Sequence, residues 1–152
     1  MQGETTKQHP IMYTNFETAT AFCNRETKAA GHLSATTWGL YSYATKIATY
    51  NTAGSIAVVL LTTRDYSPTT IRHKSHTRRA AQAEGLTLFE VPNFDNPTEA
   101  EHRANLAHLE GLAEEADRAA ERARKYGQLW REIAKDRRET AHQYATIFGL
   151  SE

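Results

Sequence analysis

Ser55-Ile56-Ala57-Val58-Val59-Leu60-Leu61-Thr62 is a nearly continuous apolar run of strand length. Without polar alternation, such a run predicts a central strand covered on both faces. Turn chemistry precedes it at Asn51-Thr52-Ala53-Gly54. Further upstream, Trp38, Leu40, Tyr41, Tyr43, Ile47, Ala48 and Tyr50 make a stretch rich in aromatic and β-favouring side chains. Two or three antiparallel strands are therefore expected in the middle of the domain. Downstream, Ser67 is placed to cap a second helix. Pro68 would take its first position, where a missing N–H costs nothing. Gly85 ends that helix, and Leu86–Val91 reads as one more strand, closed by Pro92.

The flanks read as helix. Residues up to about Met12 form a loose arm. Thr14-Asn15-Phe16-Glu17 has the pattern of a capping box for a first helix over about 15–30, with Gly31 as its stop. Asn96-Pro97-Thr98-Glu99 signals another helix start, and no proline follows before Phe148. From Leu109 to Ile147 mostly apolar or small residues recur at spacings of three and four, a heptad seam with an alanine-thin middle that Arg137 and Thr140 make polar late. This predicts one very long helix, or a helical hairpin broken near Gly111 or Gly127. The fold class is α+β: a small, mainly antiparallel sheet with two packed helices and a long C-terminal helix or hairpin. A core domain is expected over 1–95 and a helical extension over 96–152.

Composition bounds the function. The 152 residues carry 18 basic and 18 acidic side chains, which excludes a globally basic nucleic-acid coat and a strongly acidic DNA mimic. No apolar run is long enough to span a membrane, so no membrane partner is expected. The segment Met1–Lys7 has no apolar signal core, and the lone Cys23 allows no internal disulfide. Both predict a cytoplasmic protein.

The charge is uneven. Between Thr62 and Arg79, the cations Arg64, Arg72, Lys74, Arg78 and Arg79 face only Asp65, and Ile71 is the sole large apolar residue from Pro68 to Leu86. The first turns of the second helix thus promise little to bury. Their free N–H groups, with Ser67, Thr69 and Thr70 and the cations Arg72, Lys74, Arg78 and Arg79, suit a phosphate, as do His73 and His76. The ordinary reading of such a run is a solvated helix face. Trp38, Tyr41, Tyr43 and Tyr66 lie close in sequence and could stack bases, although strand aromatics more often pack as core. His73 and His76 share a helix face, but no third ligand sits at a matching offset, so neither a metal nor any other cofactor is expected. The same pair offers an acid and a base for a small phosphodiester hydrolase. No nucleotide-loop, nucleophile-elbow or zinc-protease motif is present. Leu109, Leu112, Tyr126, Trp130, Ile133 and Tyr144 are the candidates for a homo-oligomer interface along the C-terminal seam.

Tyr41-Ser42-Tyr43, Ile47-Ala48 and Thr62-Thr63-x-x-Tyr66-Ser67-x-Thr69-Thr70-x-x-His73 resemble a pattern in an uncharacterised family of small proteins from phages, plasmids and other mobile elements. The likeness covers about residues 41–79. Lys46 stands where that family often has proline. The resemblance carries over no catalytic residue. It implies a short accessory protein of a mobile element, of a kind that binds nucleic acid or blunts a host defence, CRISPR effectors included. The expectation is therefore a protein that binds nucleic acid or a host nucleoprotein without catalysis. The alternatives are a protein-only scaffold docking through the C-terminal helix, and a hydrolase using His73 and His76.

Overall fold

The computed structural model describes residues 11–150, with side chains from residue 15 onward. The chain divides into two compact units between Glu90 and Val91, where the sequence suggested 95–96. The first unit holds α1 (Ile11–Cys23), β1 (Lys28–Ala30), β2 (Leu33–Ala35), β3 (Gly39–Ser42), β4 (Thr45–Ala53), β5 (Ile56–Thr62) and α2 (Pro68–Ala83). Strand β6 (Thr87–Val91) runs to the boundary. The strands lie in one sheet in chain order, and the pairings from β1 to β5 are antiparallel. The α+β reading therefore holds, with more strands than the sequence suggested.

Local chemistry explains the elements. Val58 to Thr62 are buried, as expected of a strand covered on both faces. Ser67 accepts the Thr70 N–H at its side chain, and Pro68 starts α2. Gly85, at φ +72°, turns the chain away from the end of α2. The beginning of the chain differs from expectation. The arm expected up to about Met12 and the side chain of Thr14 fall largely outside the described residues. The first helix already runs from Ile11 and ends at Cys23, not near residue 30. Lys28-Ala29-Ala30 instead pairs with Leu33-Ser34-Ala35 as a hairpin. Gly31, at φ +60°, lies in its turn rather than stopping a helix. Alanine favours helix locally, and pairing to a neighbouring strand overrides so short a preference.

One core joins the helices to the sheet. Ala19, Phe22 and Cys23 of α1 and Ala80 and Ala81 of α2 pack with Leu33, Ala35, Leu40, Ala48, Val59 and Leu61. The cross-strand pairs Ala35–Leu40, Leu40–Ala48 and Ala48–Leu61 show why these side chains share one face.

The second unit is a helical hairpin of α3 (Glu99–Arg122) and α4 (Gly127–Ile147). Thr98 and Glu101 form a complete capping box at its start. The break falls at Ala123–Tyr126, next to Gly127, while Gly111 runs inside α3. The alanine-thin seam is thus satisfied within the chain. Ala113, Ala116, Ala134 and Ala141 are buried, as close-approaching helices require. Arg137 donates to the Leu112 carbonyl at 2.9 Å, which accounts for an arginine in the seam. Leu109 and Tyr144 are buried, Leu112, Trp130 and Ile133 half-buried, and Tyr126 exposed. No helix among the described residues is long and apolar enough to cross a membrane.

A polar knot fastens the hairpin. Buried Asn105 donates to the Asn93 carbonyl at 2.7 Å and to the Tyr144 hydroxyl at 2.8 Å. That hydroxyl lies 2.6 Å from His102 Nδ1. Burial lowers the His102 pKa and favours a neutral ring; the hydroxyl, which accepts from Asn105, then has its own hydrogen to donate to Nδ1 of that ring. Tyr144→Phe strands the Asn105 amide and should cost about 1–3 kcal/mol in urea unfolding. Unchanged stability would show that the knot contributes nothing.

A candidate anion-binding cavity at the start of helix α2

Helix α2 turns a polar face inward. Thr70, His73, Lys74, His76 and Thr77 are buried ahead of Ala80 and Ala81. The sequence suggested that these turns had little to bury; they bury Thr70, His73, Lys74 and Thr77, each supplied with a partner by the fold, and His76. Ser42, at the end of β3, places its hydroxyl 2.7 Å from His73 Nδ1 and 3.3 Å from the Thr70 hydroxyl. Thr70 in turn lies 3.2 Å from the Ser67 hydroxyl. Thr77 donates to the His73 carbonyl at 2.8 Å. The Tyr41-Ser42-Tyr43 and Ser67-to-His73 segments are thereby joined by one run of hydroxyls ending on an imidazole.

The cations separate into two groups. Lys74 is only 1% exposed, and its ammonium meets Asp65 at 2.9 Å, Glu90 at 2.8 Å and the Arg64 carbonyl at 3.1 Å. Arg78 pairs with Glu90 at 2.9 Å. The charges of Lys74 and Arg78 are therefore met inside the chain. Arg72 and Arg79 are exposed. Arg72 donates to the Thr69 hydroxyl at 3.3 Å, and Arg79 lies 6.0 Å from the Phe16 ring.

Arg72 opens onto a cavity of about 560 Å³. Asn15 from α1, Ala30, Gly31 and His32 from the β1–β2 hairpin, Tyr43 from the β3–β4 turn, and Thr69, Arg72 and His73 from α2 line it. Of the residues the sequence offered for phosphate, Thr69, Arg72 and His73 reach this wall. Ser67 and Thr70 stand behind it in the hydroxyl run, and Lys74 and Arg78 are paired with carboxylates. His76 is buried one turn further along, with no partner for Nδ1 among the described residues. His32 and Asn15 carried no signal in the sequence. Asn15 stood inside the expected capping box of the first helix, and His32 followed Gly31, the expected stop of that helix.

The aromatic residues also divide. Tyr43 is 53% exposed and stacks on His32, ring centres 4.3 Å apart. It holds a left-handed φ of +56° in the two-residue turn between β3 and β4. Favoured turns of this length place glycine, asparagine or aspartate there, and another residue costs about 1–2 kcal/mol. Tyr66, also left-handed at φ +54° and exposed, stands just before the α2 cap with the Arg64 guanidinium 5.7 Å from its ring. Tyr41 carries the Lys46 ammonium at 5.7 Å. Trp38 packs edge-on to Tyr50 with the Arg25 guanidinium 4.2 Å above it, and does not line the cavity.

Electrostatics favour a neutral imidazole at the cavity wall. Burial, then the neighbouring His76, Arg72 and His32, push the His73 pKa down to about 4. Burial followed by Arg79 and Arg72 lowers that of His76 as well. Cys23 is buried, and burial with the Glu84 charge raises its thiol to about 12, far from a nucleophile's range. Among the described residues, no three or more His, Cys, Asp or Glu side chains gather in a way that could hold a metal ion.

The depressed His73 pKa has a stability consequence. The unfolded chain binds this proton near the ordinary 6.5 and the folded chain only near 4. The contribution is complete above about pH 6.5 and disappears as pH falls toward 4. Between pH 7 and pH 4.5, wild type should lose about 2–3 kcal/mol more in urea unfolding than His73→Asn. Parallel losses in the two proteins would refute the assignment.

No family model, curated protein or solved structure matches the chain.

Proposed function

We propose that the protein acts by binding, without catalysis, a phosphate-bearing partner: single-stranded nucleic acid, or the exposed strand of a host nucleoprotein. The setting would be that of a phage or mobile-element accessory protein obstructing a host process in the cytoplasm. The observation that carries this reading is the cavity. It places an exposed arginine, a threonine hydroxyl and a neutral imidazole beside an exposed tyrosine that stacks on a second ring. Cations beside exposed aromatics are what single strands require, the first for phosphates and the second for bases. Arg64 beside Tyr66 repeats the pairing just before the α2 cap. Among the described residues, no carboxylate lines the cavity. Ser42, the hydroxyl that touches His73, is buried in the hydroxyl run. These groups are suited to holding a ligand more than to attacking one.

Anisotropy of a labelled short oligonucleotide across a salt series tests the proposal. Each phosphate contact on a single strand contributes about −0.7 to the slope of log K against log salt. Arg72→Gln should reduce the slope by about that amount and weaken binding at every salt concentration. Arg78→Gln, whose guanidinium pairs with Glu90, should leave both unchanged. Binding insensitive to salt, or to Arg72→Gln, overturns the reading.

A second reading has its own observation. Tyr126 and Leu129 stand 71% and 53% exposed where α3 turns into α4, a place for a second copy of the chain or another protein. Tyr126→Ser with Leu129→Ser should then abolish concentration-dependent association in sedimentation. A wild type that sediments as a monomer at all concentrations removes self-association.

A further inference from the structure

Building on the binding function proposed above, we infer that the cavity is a pocket for one unstacked nucleotide. The base lies against the Tyr43–His32 stack, its edge faces His73, and the phosphate rests on Arg72 and Thr69. The shared chemistry is a nucleotide, either free or at an unpaired position of a strand.

Tyr43 supplies the first argument. Its backbone occupies a left-handed turn position where glycine is at ease, yet it carries a large ring, half exposed, in a cavity wall. Its N–H holds the His32 carbonyl at 2.6 Å, tying the two turns together and fixing the rings 23° from parallel. Backbone conformation alone selects against tyrosine here. The ring is therefore the reason for the residue, and an exposed ring fixed in a cavity wall is a stacking surface.

His73 supplies the second. Ser42 occupies Nδ1, which orients the ring and leaves Nε2 as the nitrogen for a ligand in the cavity. A neutral, fixed imidazole gives a directional hydrogen bond to a base edge, and adds no charge that would draw the phosphate instead. The phosphate has its own group in Arg72, adjacent in sequence, with Thr69 one turn before it. A stacking wall, a directional polar group and a cation thus lie around about 560 Å³, a volume in the usual range for small-ligand sites.

The experiment uses the full chain with three probes: each of the four nucleoside 5′-monophosphates, ribose 5-phosphate, and a labelled single-stranded oligonucleotide. At least one mononucleotide should bind in calorimetry and displace the oligonucleotide, with ribose 5-phosphate at least tenfold weaker. Tyr43→Gly should melt no lower than wild type, yet lose about five- to hundredfold in affinity, the contribution of one stacked base. Tyr43→Phe should retain binding. Ribose 5-phosphate binding as tightly as the nucleotides would reduce the cavity to a phosphate site and overturn the inference. An oligonucleotide that binds without competition from mononucleotides, and without loss in Tyr43→Gly, also overturns it while leaving the proposed function standing. A mononucleotide that binds when no oligonucleotide does supports the pocket for a free nucleotide and removes the nucleic-acid reading.

Discussion

The hydrogen bond between Ser42 and His73, 2.7 Å long and closed from solvent, is the constraint on which the first unit depends. It joins the end of β3 to the second turn of α2. Buried polar groups are tolerated only when partnered, so a helix with this inward face has few acceptable positions on the sheet. Sliding α2 by one turn would strand His73, Thr70 and Lys74 together. An apolar face would pack with less discrimination. The polar face sets the register of α2, and with it the positions of Thr69 and Arg72 at the cavity.

The same seam decides which charges face outward. Lys74 is enclosed by two carboxylates, one on the loop before α2 and one on β6. An ammonium 1% exposed needs such company, because an isolated buried charge is very costly. Glu90 is shared with Arg78, so one acid serves two cations. Arg72 and Arg79 are left pointing outward from the same helix. The segment is less basic to a visitor than its sequence implies, and more selective, because its exposed cation at the cavity lies beside oriented rings.

Much of the framework was legible. Ser67-Pro68 marks the start of α2 through one cap and one missing N–H, both local effects. The run from Val58 to Leu61 shows its burial because it lacks polar alternation. Asn96-Pro97-Thr98-Glu99 marked the start of α3, although the capping box that Thr98 forms with Glu101 is seen only in the fold. Four features were not legible. Strands β1 and β2 have three residues each, and an alanine pair reads as helix until a partner strand is supplied. Lys74 looked free because Asp65 and Glu90 reach it only after folding. His32 entered the cavity through a hairpin that the sequence did not disclose. Thr69, Arg72, His73 and Tyr43 were visible as candidates because hydroxyls, cations and aromatics cluster there in sequence. The hydroxyl run of Ser67, Thr70 and Ser42 that ends on His73 was not, since it needs β3 and α2 in contact.

The strand order in the sheet is the order of the chain. Each new strand from β2 to β5 therefore meets a partner synthesised a few residues earlier. Loop closures are short, and their entropic cost is small. The sheet can grow in the direction in which the ribosome delivers it, without waiting for a distant segment. The Ser42–His73 bond forms after that meander exists, when α2 emerges. The binding groups at its start thus meet a platform of five strands, with β6 still to join its edge.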